Sequence, residues 1–214
     1  TGTSGDDTIT GSNANDNLSG GASTDTISGG TGNDTINGGS GADTLTGGAG
    51  DDEFDFASGT STEASMDKIT DYQAAVATAD NDTIDIITGA KGANSTSIDV
   101  KSAIAGGGGS ESVTASVTNG VATLSGSDAG LINTLSEWID AVSVDGVIKK
   151  AADDADAVGA VAFQLNGNTY LVESNDTSNN NTANVSIVNV IELTGLTGVT
   201  AVADAAAANT VLIA

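Results

Sequence analysis

The chain has 214 residues, enough for one or two domains, but only 3% are aromatic, so any core must be built from Val, Ile, Leu and Ala. Five Lys, no Arg and 29 acids give a formal charge of −24, which repels polyphosphate and anionic lipid and leaves cations as the natural partner. Without Cys or His there is no disulfide framework, thiolate or imidazole metal site, zinc-protease H-E-x-x-H motif or Ser-His-Asp triad, and no G-x-S-x-G elbow occurs, so catalysis within these residues is not expected.

The charge makes nucleic-acid binding unexpected, and no apolar run is long enough to cross a bilayer, so membrane insertion is not expected either. The sequence does not begin with Met and carries no basic-then-apolar leader, which fits a mature product or part of a larger protein whose export address lies elsewhere.

From Gly2 to Asp55 the sequence is six nonapeptides without a slip: GTSGDDTIT, GSNANDNLS, GGASTDTIS, GGTGNDTIN, GGSGADTLT and GGAGDDEFD. Asp7, Asp16, Asp25, Asp34, Asp43 and Asp52 share one position, and Ile9, Leu18, Ile27, Ile36, Leu45 and Phe54 follow two residues later. The spacing predicts, in each unit, a six-residue turn ending in Asp and a three-residue strand with one apolar side chain. Neither piece is stable alone, so the units must stack. With two units per coil, units one, three and five stack on one edge and two, four and six on the other. The apolar residues then point inward between two parallel sheets whose strands are about 4.8 Å apart.

The turns stack too, and their carboxylates crowd. Crowded acids either protonate or take up a cation. Asp oxygens with backbone carbonyls suit Ca²⁺, which accepts roughly six to eight oxygen ligands. Glycines let the turn visit positive φ and aim carbonyls at one point. On this reading Asp6, Asp51 and Asp55 are solvated acids that add to the field rather than ligands.

The nonapeptides resemble the repeats-in-toxin (RTX) motif GGxGxDxUx, where U is apolar; units four to six match every defined position. Thr3 and Ser12 replace the second Gly, and Ala14 and Ser23 the third, which puts a β-carbon where the turn is strained. The resemblance implies a right-handed parallel β-roll in which each ion sits between turns one coil apart. One turn offers its second and fourth carbonyls and its Asp, the other its first and third carbonyls and its Asp. Carried over, the second and fourth carbonyls are those of Thr3 and Gly5, Ser12 and Ala14, Gly21 and Ser23, Gly30 and Gly32, Gly39 and Gly41, and Gly48 and Gly50. The first and third are those of Gly20 and Ala22, Gly29 and Thr31, Gly38 and Ser40, and Gly47 and Ala49. Pairing turns one and three, two and four, three and five, and four and six implies at least four Ca²⁺ ions. Met66–Tyr72 is similar to the D-x-I-x-D-F element that follows such repeats, making Asp67 and Asp71 candidate ligands of a capping ion. Asn81–Ile86 resembles the next strand, with acids that are either ligands or solvated.

Beyond residue 86 the texture changes, which divides the chain into 1–86, the calcium-binding roll with its capping strands, and 87–214, a β-rich region. Gly106–Ser110 reads as a loop. Val113–Thr118 and Val121–Leu124, joined by Asn119-Gly120, predict a hairpin. Val161–Leu165 and Thr169–Val172, joined by Asn166-Gly167-Asn168, predict another. Between them a helix capped at Ser127-Asp128 and running to about 142 places Leu131, Leu135, Trp138, Ile139 and Val142 on one face, so Trp138 is expected in the core. Ile148–Val158 is predicted as a shorter helix, where Lys149 and Lys150 are too few for a basic patch. Asn184–Thr194 is predicted as a strand. The stretch Val185–Ala214, with Asn168–Val172 and Glu192–Gly195, resembles the C-terminal region of RTX proteins exported by type I secretion, whose uncleaved signal occupies about the last 60 residues.

The expected protein is mainly β. Its expected function is that of a calcium-dependent folding, export and assembly module of a secreted bacterial surface protein, resembling a surface-layer (S-layer) protein. Its partners would be Ca²⁺, the type I secretion machinery and further copies of itself in a lattice. Two alternatives stand beside it: the tail of a secreted protease or lipase whose catalytic domain lies outside this sequence, and the terminal part of a large RTX adhesin.

Overall fold

Asp-Thr-Ile in one unit and Asp-Thr-Leu in the next place apolar side chains where stacked coils can bury them. A computed structural model describes residues 1–57, 60–73, 81–86, 95–99, 114–118, 121–125, 134–142, 157–176, 186–200, 202–204 and 210–213. The repeats form strands β1 (Thr8–Thr10), β2 (Asn17–Ala22), β3 (Thr26–Thr31), β4 (Thr35–Ser40), β5 (Thr44–Ala49) and β6 (Glu53–Phe56). Odd strands pair in parallel along one sheet and even strands along the other. Ile9 lies opposite Ile27, and Ile27 opposite Leu45; on the other sheet Leu18 lies opposite Ile36, and Ile36 opposite Phe54. The predicted two-edge stacking is what the chain adopts.

The strands are longer than predicted. In β2 to β5 the first three residues of the following unit continue the extended run, because coil-to-coil pairing such as Gly21 with Gly39 and Gly30 with Gly48 supplies partners that intrinsic glycine propensity does not suggest. Ile27, Ile36, Leu45 and Phe54 have no exposed surface, and Leu18 is almost as buried, while Ile9 at the end of the stack is half-buried. Each fully buried side chain contributes about 1.5–3 kcal/mol, so the roll gains its core only as coils accumulate.

Two further strands extend the stack. β7 (Asp67–Ile69) pairs with β5 and β8 (Thr83–Ile86) with β6, both in parallel, burying Ile69, Ile84 and Ile86 in the same cluster. From there the chain adds β9 (Ser95–Asp99), β10 (Thr114–Thr118), β11 (Val121–Ser125), α1 (Leu135–Val142), β12 (Ala157–Leu165), β13 (Asn168–Asp176), β14 (Ser186–Leu193), β15 (Val202–Asp204) and β16 (Thr210–Ile213). The ten-stranded sheet runs β1-β3-β5-β7-β14-β13-β12-β11-β10-β9 and the six-stranded sheet β15-β16-β8-β6-β4-β2. The sheets begun by the repeats therefore continue into the rest of the protein: β14 pairs with β7, and β16 with β8.

Both predicted hairpins form, β10 with β11 and β12 with β13. The second turns through Asn166 (φ 53°) and Gly167 (φ 86°), with Leu165 opposite Asn168, so Asn168 belongs to the strand. Trp138 is half-buried and stacks on the fully buried Phe163, ring centroids 4.8 Å apart, with Tyr170 beyond at 5.6 Å. Within the predicted helix Ile148–Val158, Ala157 and Val158 are instead the start of β12, paired with Asp176 and Asn175; residues 148–156 lie outside the described residues. The Gly106–Ser110 loop, Asn119-Gly120 and residues 126–133, with the proposed cap at Ser127-Asp128, also lie outside them.

Candidate metal centre

Position two of the nonapeptide decides which way the turn faces. Gly21, Gly30, Gly39 and Gly48 hold φ between 100° and 115°, a region closed to most side chains. Thr3 and Ser12, at the same position, do not. Their main-chain N–H groups and hydroxyls instead donate to their own turn's acid: Thr3 to Asp7 Oδ2 (N 2.6 Å, Oγ1 3.1 Å) and Ser12 to Asp16 Oδ2 (N 2.6 Å, Oγ 2.8 Å). The β-carbon thus changes the turn rather than straining it. Ser23 alone of the substitutions keeps a positive φ, 78°.

One oxygen of each repeat acid builds a ladder along the coil. Asp25 Oδ1 accepts from Asp7 N, Asp43 Oδ1 from Asp25 N, and Asp67 Oδ1 from Asp43 N, each at 2.8 Å. On the other edge Asp34 Oδ1 accepts from Asp16 N and Asp52 Oδ1 from Asp34 N at 2.8 Å, and Asp82 Oδ1 from Asp52 N at 3.1 Å. Asp82, left open by the sequence, therefore closes the even edge as Asp67 closes the odd one.

The second oxygens behave differently. Oδ2 of Asp25, Asp34, Asp43 and Asp67 is buried with no hydrogen-bond partner. A buried carboxylate oxygen in that condition costs several kcal/mol unless a proton or cation meets it. Two of them face a defined neighbour. A β-carbon built on Gly29 would fall against both Asp34 Oδ2 and the Gly47 carbonyl oxygen, and one on Gly20 against Asp25 Oδ2 and the Gly38 carbonyl oxygen. The acid of one turn and the first-position carbonyl of the turn one coil later thus converge over a glycine Cα. The same convergence occurs over Gly2 and Gly11, but there Thr3 and Ser12 already occupy the acid. Among the described residues no three acidic side chains form a cluster, so a hard cation here takes two carboxylates at most and completes its shell with carbonyl oxygens.

Five acids outside this pattern also accept hydrogen bonds from the protein. Asp71 accepts main-chain N–H groups of Gly47 (3.0 Å) and Gly48 (2.9 Å) with its two oxygens, and Asp82 Oδ2 accepts from Gln73 N at 2.7 Å. Asp6, Asp51 and Asp55 are not merely solvated: Asp6 accepts from Thr24 N, Asp51 from Asn81 N, and Asp55 from the Asn37 amide. Asn15, Asn33 and Asp51 form an outer ladder, each accepting from the backbone one coil on, opposite in direction to the inner one. Burial raises the carboxyl of Asp67 to about 7, with the Asp43 charge adding to it and hydrogen bonds from Asp43 N and Ser61 opposing it. Asp82 is likewise raised to about 7 by burial, then by the charges of Asp52 and Asp71, against hydrogen bonds from Gln73 N and Asp52 N. Asp43 is raised by burial and by Asp25.

A sequence-family profile described as RTX calcium-binding nonapeptide repeat matches residues 1–36 and 28–62, four copies in all. Residues 1–62 are RTX calcium-binding repeats. The RTX segment folds as the parallel roll described above, and its ligand is Ca²⁺. No curated protein matches the chain. Among solved structures, the AlgE6R3 subunit of the Azotobacter vinelandii mannuronan C5-epimerase is 26% identical over 55% of this chain with a TM-score of 0.37, and this chain spans 66% of its length, just under two thirds. The AlgE6R2 subunit of the same epimerase is 19% identical, covering 88% of this chain and 84% of that one with a TM-score of 0.38.

Proposed function

We propose that this protein is the calcium-dependent folding, export and assembly module of a secreted bacterial surface protein of the S-layer kind. The observation that carries the calcium part is the convergence of Asp34 Oδ2 with the Gly47 carbonyl, and of Asp25 Oδ2 with the Gly38 carbonyl, at buried points where no hydrogen bond reaches those two Oδ2 atoms. The fully formed sites are Gly30, Gly32 and Asp34 with Gly47, Ala49 and Asp52, and Gly21, Ser23 and Asp25 with Gly38, Ser40 and Asp43. In the pairings of turns one with three and two with four, Thr3 and Ser12 hydroxyls compete for the acid and weaken the site. Asp67 supplies a buried oxygen at the end of the odd edge, whereas Asp71 and Asp82 act as acceptors for main-chain N–H groups and close the roll without a cation.

Bound calcium supplies the positive charge that stacked acids lack. Without it, a chain of charge −24 with a core of single Ile, Leu and Phe side chains per turn does not offset its conformational entropy and stays extended enough to pass an export channel. In millimolar external calcium, binding free energy becomes folding free energy. Secretion is typical of RTX proteins, and the Thr/Ala/Gly/Ser-rich, Lys-poor composition supports a surface lattice.

Negative-stain microscopy of the full chain in millimolar Ca²⁺ and in EGTA tests the assembly part. Ordered sheets or oligomers in calcium only are expected; a chain that folds in calcium yet remains monomeric at all concentrations contradicts assembly and favours an exoenzyme tail.

A further inference from the structure

β12 is held unequally on its two sides. It pairs with β13 over nine registers, from Ala157 opposite Asp176 to Leu165 opposite Asn168, but among the described residues it meets β11 only where Val121 lies opposite Ala162. Past that point a cavity of about 290 Å³ opens, walled by Val121, Ala122 and Thr123 of β11, Gln164 of β12, Trp138 of α1 and Val199 from the segment after β14. The wall is fixed from two sides. With its amide oriented so that the carbonyl oxygen accepts from Gly198 N at 2.5 Å and Val199 N at 3.0 Å, Gln164 holds the 198–199 backbone. The indole of Trp138 lies 8° from parallel to the fully buried Phe163 ring, which stacks in turn on Tyr170. Phe163 is not part of the wall, so the half-buried indole turns to the cavity a surface that Phe163 does not cover.

From this geometry we infer that the cavity beneath Trp138 is a binding site for one neutral sugar ring. Only six side chains of the protein are aromatic, and three of them stack here, which holds the one Trp rigidly at half exposure. An indole has a flat apolar body with an N–H at its edge, which suits the C–H face and hydroxyl rim of a pyranose. The Thr123 hydroxyl and Gln164 amide add uncharged donors and acceptors to the wall. Charge excludes the other ligand classes. Among the described residues no Asp, Glu or Lys lines the cavity, so a cation finds no carboxylate there, and the net charge of −24 repels an anion. Ligand pockets span about 300–1,000 Å³, which puts this one at the lower end and limits what it encloses to a single ring. The site lies outside the repeats and requires of the turns only that the chain be folded.

Trp138 is the only Trp, so tryptophan fluorescence reports on this cavity alone. The full chain in millimolar Ca²⁺, its folding checked by circular dichroism, is titrated with glucose, galactose, mannose and N-acetylglucosamine, and with glucuronate and galacturonate as charged counterparts. At least one neutral sugar is expected to shift the emission saturably, and the uronates to bind about tenfold more weakly or not at all. Gln164→Ala frees the 198–199 backbone and removes a polar group from the wall, so affinity is expected to fall about threefold to tenfold. Val199→Phe fills the cavity from a partly buried position while leaving Trp138 in place, and is expected to abolish the response. If Val199→Phe loses the β signal, Gln164→Ala decides alone. No emission shift with any neutral sugar, a shift that stays linear with concentration, a uronate that matches its neutral counterpart, or a response unchanged in the folded variants overturns the site.

Discussion

Asp34 N donates to Asp52 Oδ1 at 2.8 Å while Asp34 Oδ1 accepts from Asp16 N at the same distance, so one residue is both rung and rail of the even edge. Its remaining oxygen is buried and unpaired. Two functions therefore meet in one carboxylate, and substitution separates them. Asp34→Ala and Asp43→Ala remove the ladder acceptor and the charge together, leaving a main-chain N–H unsatisfied at about 1–3 kcal/mol as well as the lost ligand, so calcium affinity is expected to fall at least tenfold. Asp7→Ala removes an acid already held by Thr3 and is expected to cost about threefold or less. Isothermal titration calorimetry distinguishes these; equal losses at all three positions contradict the assignment.

Thr3 and Ser12 lead to a prediction of opposite sign. Replacing each with Gly opens the positive-φ turn used by Gly21 and Gly30 and removes the hydroxyl that occupies Asp7 or Asp16. The double variant is expected to bind calcium more tightly, shifting the folding midpoint down by about twofold or more, as measured by the same titration. A midpoint that rises would show that local capping of the first coil matters more than ligand freedom.

Ile36 and Ile9 occupy the same repeat position at different depths, Ile36 with no exposed surface and Ile9 half-buried at the end of the stack. Ile36→Ala is expected to destabilise the calcium-loaded protein by about 2–5 kcal/mol and Ile9→Ala by clearly less, read from thermal unfolding at fixed calcium. Equal effects would mean that the coils do not share one continuous core.

The calcium-free fold has its own pH dependence. Burial raises Asp67 and Asp82 to about 7 and also raises Asp43, whereas in the unfolded chain these carboxyls titrate near 3.9, so the fold retains protons the unfolded chain has lost. Their contribution is fully present below about pH 4 and is lost as pH rises through about 7. In EGTA, circular dichroism is expected to show more β structure at about pH 5 than at about pH 8, and calcium is expected to narrow the difference by displacing the protons held by Asp43 and Asp67. More structure at the higher pH in EGTA would contradict this.

How much of the molecule is legible in its sequence depends on whether a feature is periodic. The phase of Asp and apolar residues sets the coil, its two edges and the inward face, because each follows from stacking identical units. The same phase hides the ladder's far ends: Asp67 pairs 24 residues from Asp43, and Asp82 pairs 30 from Asp52, instead of the 18 within the repeats. A signal for Asp82 is present, since Asp82-Thr83-Ile84 repeats Asp34-Thr35-Ile36, but nothing local fixes its spatial partner. The Thr3 and Ser12 donors are visible only as departures from glycine; that they turn on their own acid is a property of the folded backbone. Strand β12 begins at Ala157, where the sequence pattern predicts helix, because pairing with β13 outweighs the helical propensity of an Ala-rich stretch.

The most direct test of the central claim, that the roll closes only when cations meet its stacked acids, is far-ultraviolet circular dichroism of the full chain at neutral pH through a Ca²⁺ titration and EGTA reversal. A cooperative gain of β signal in calcium, lost again in EGTA, is the predicted result. A β spectrum already complete in EGTA and unchanged by calcium would contradict it.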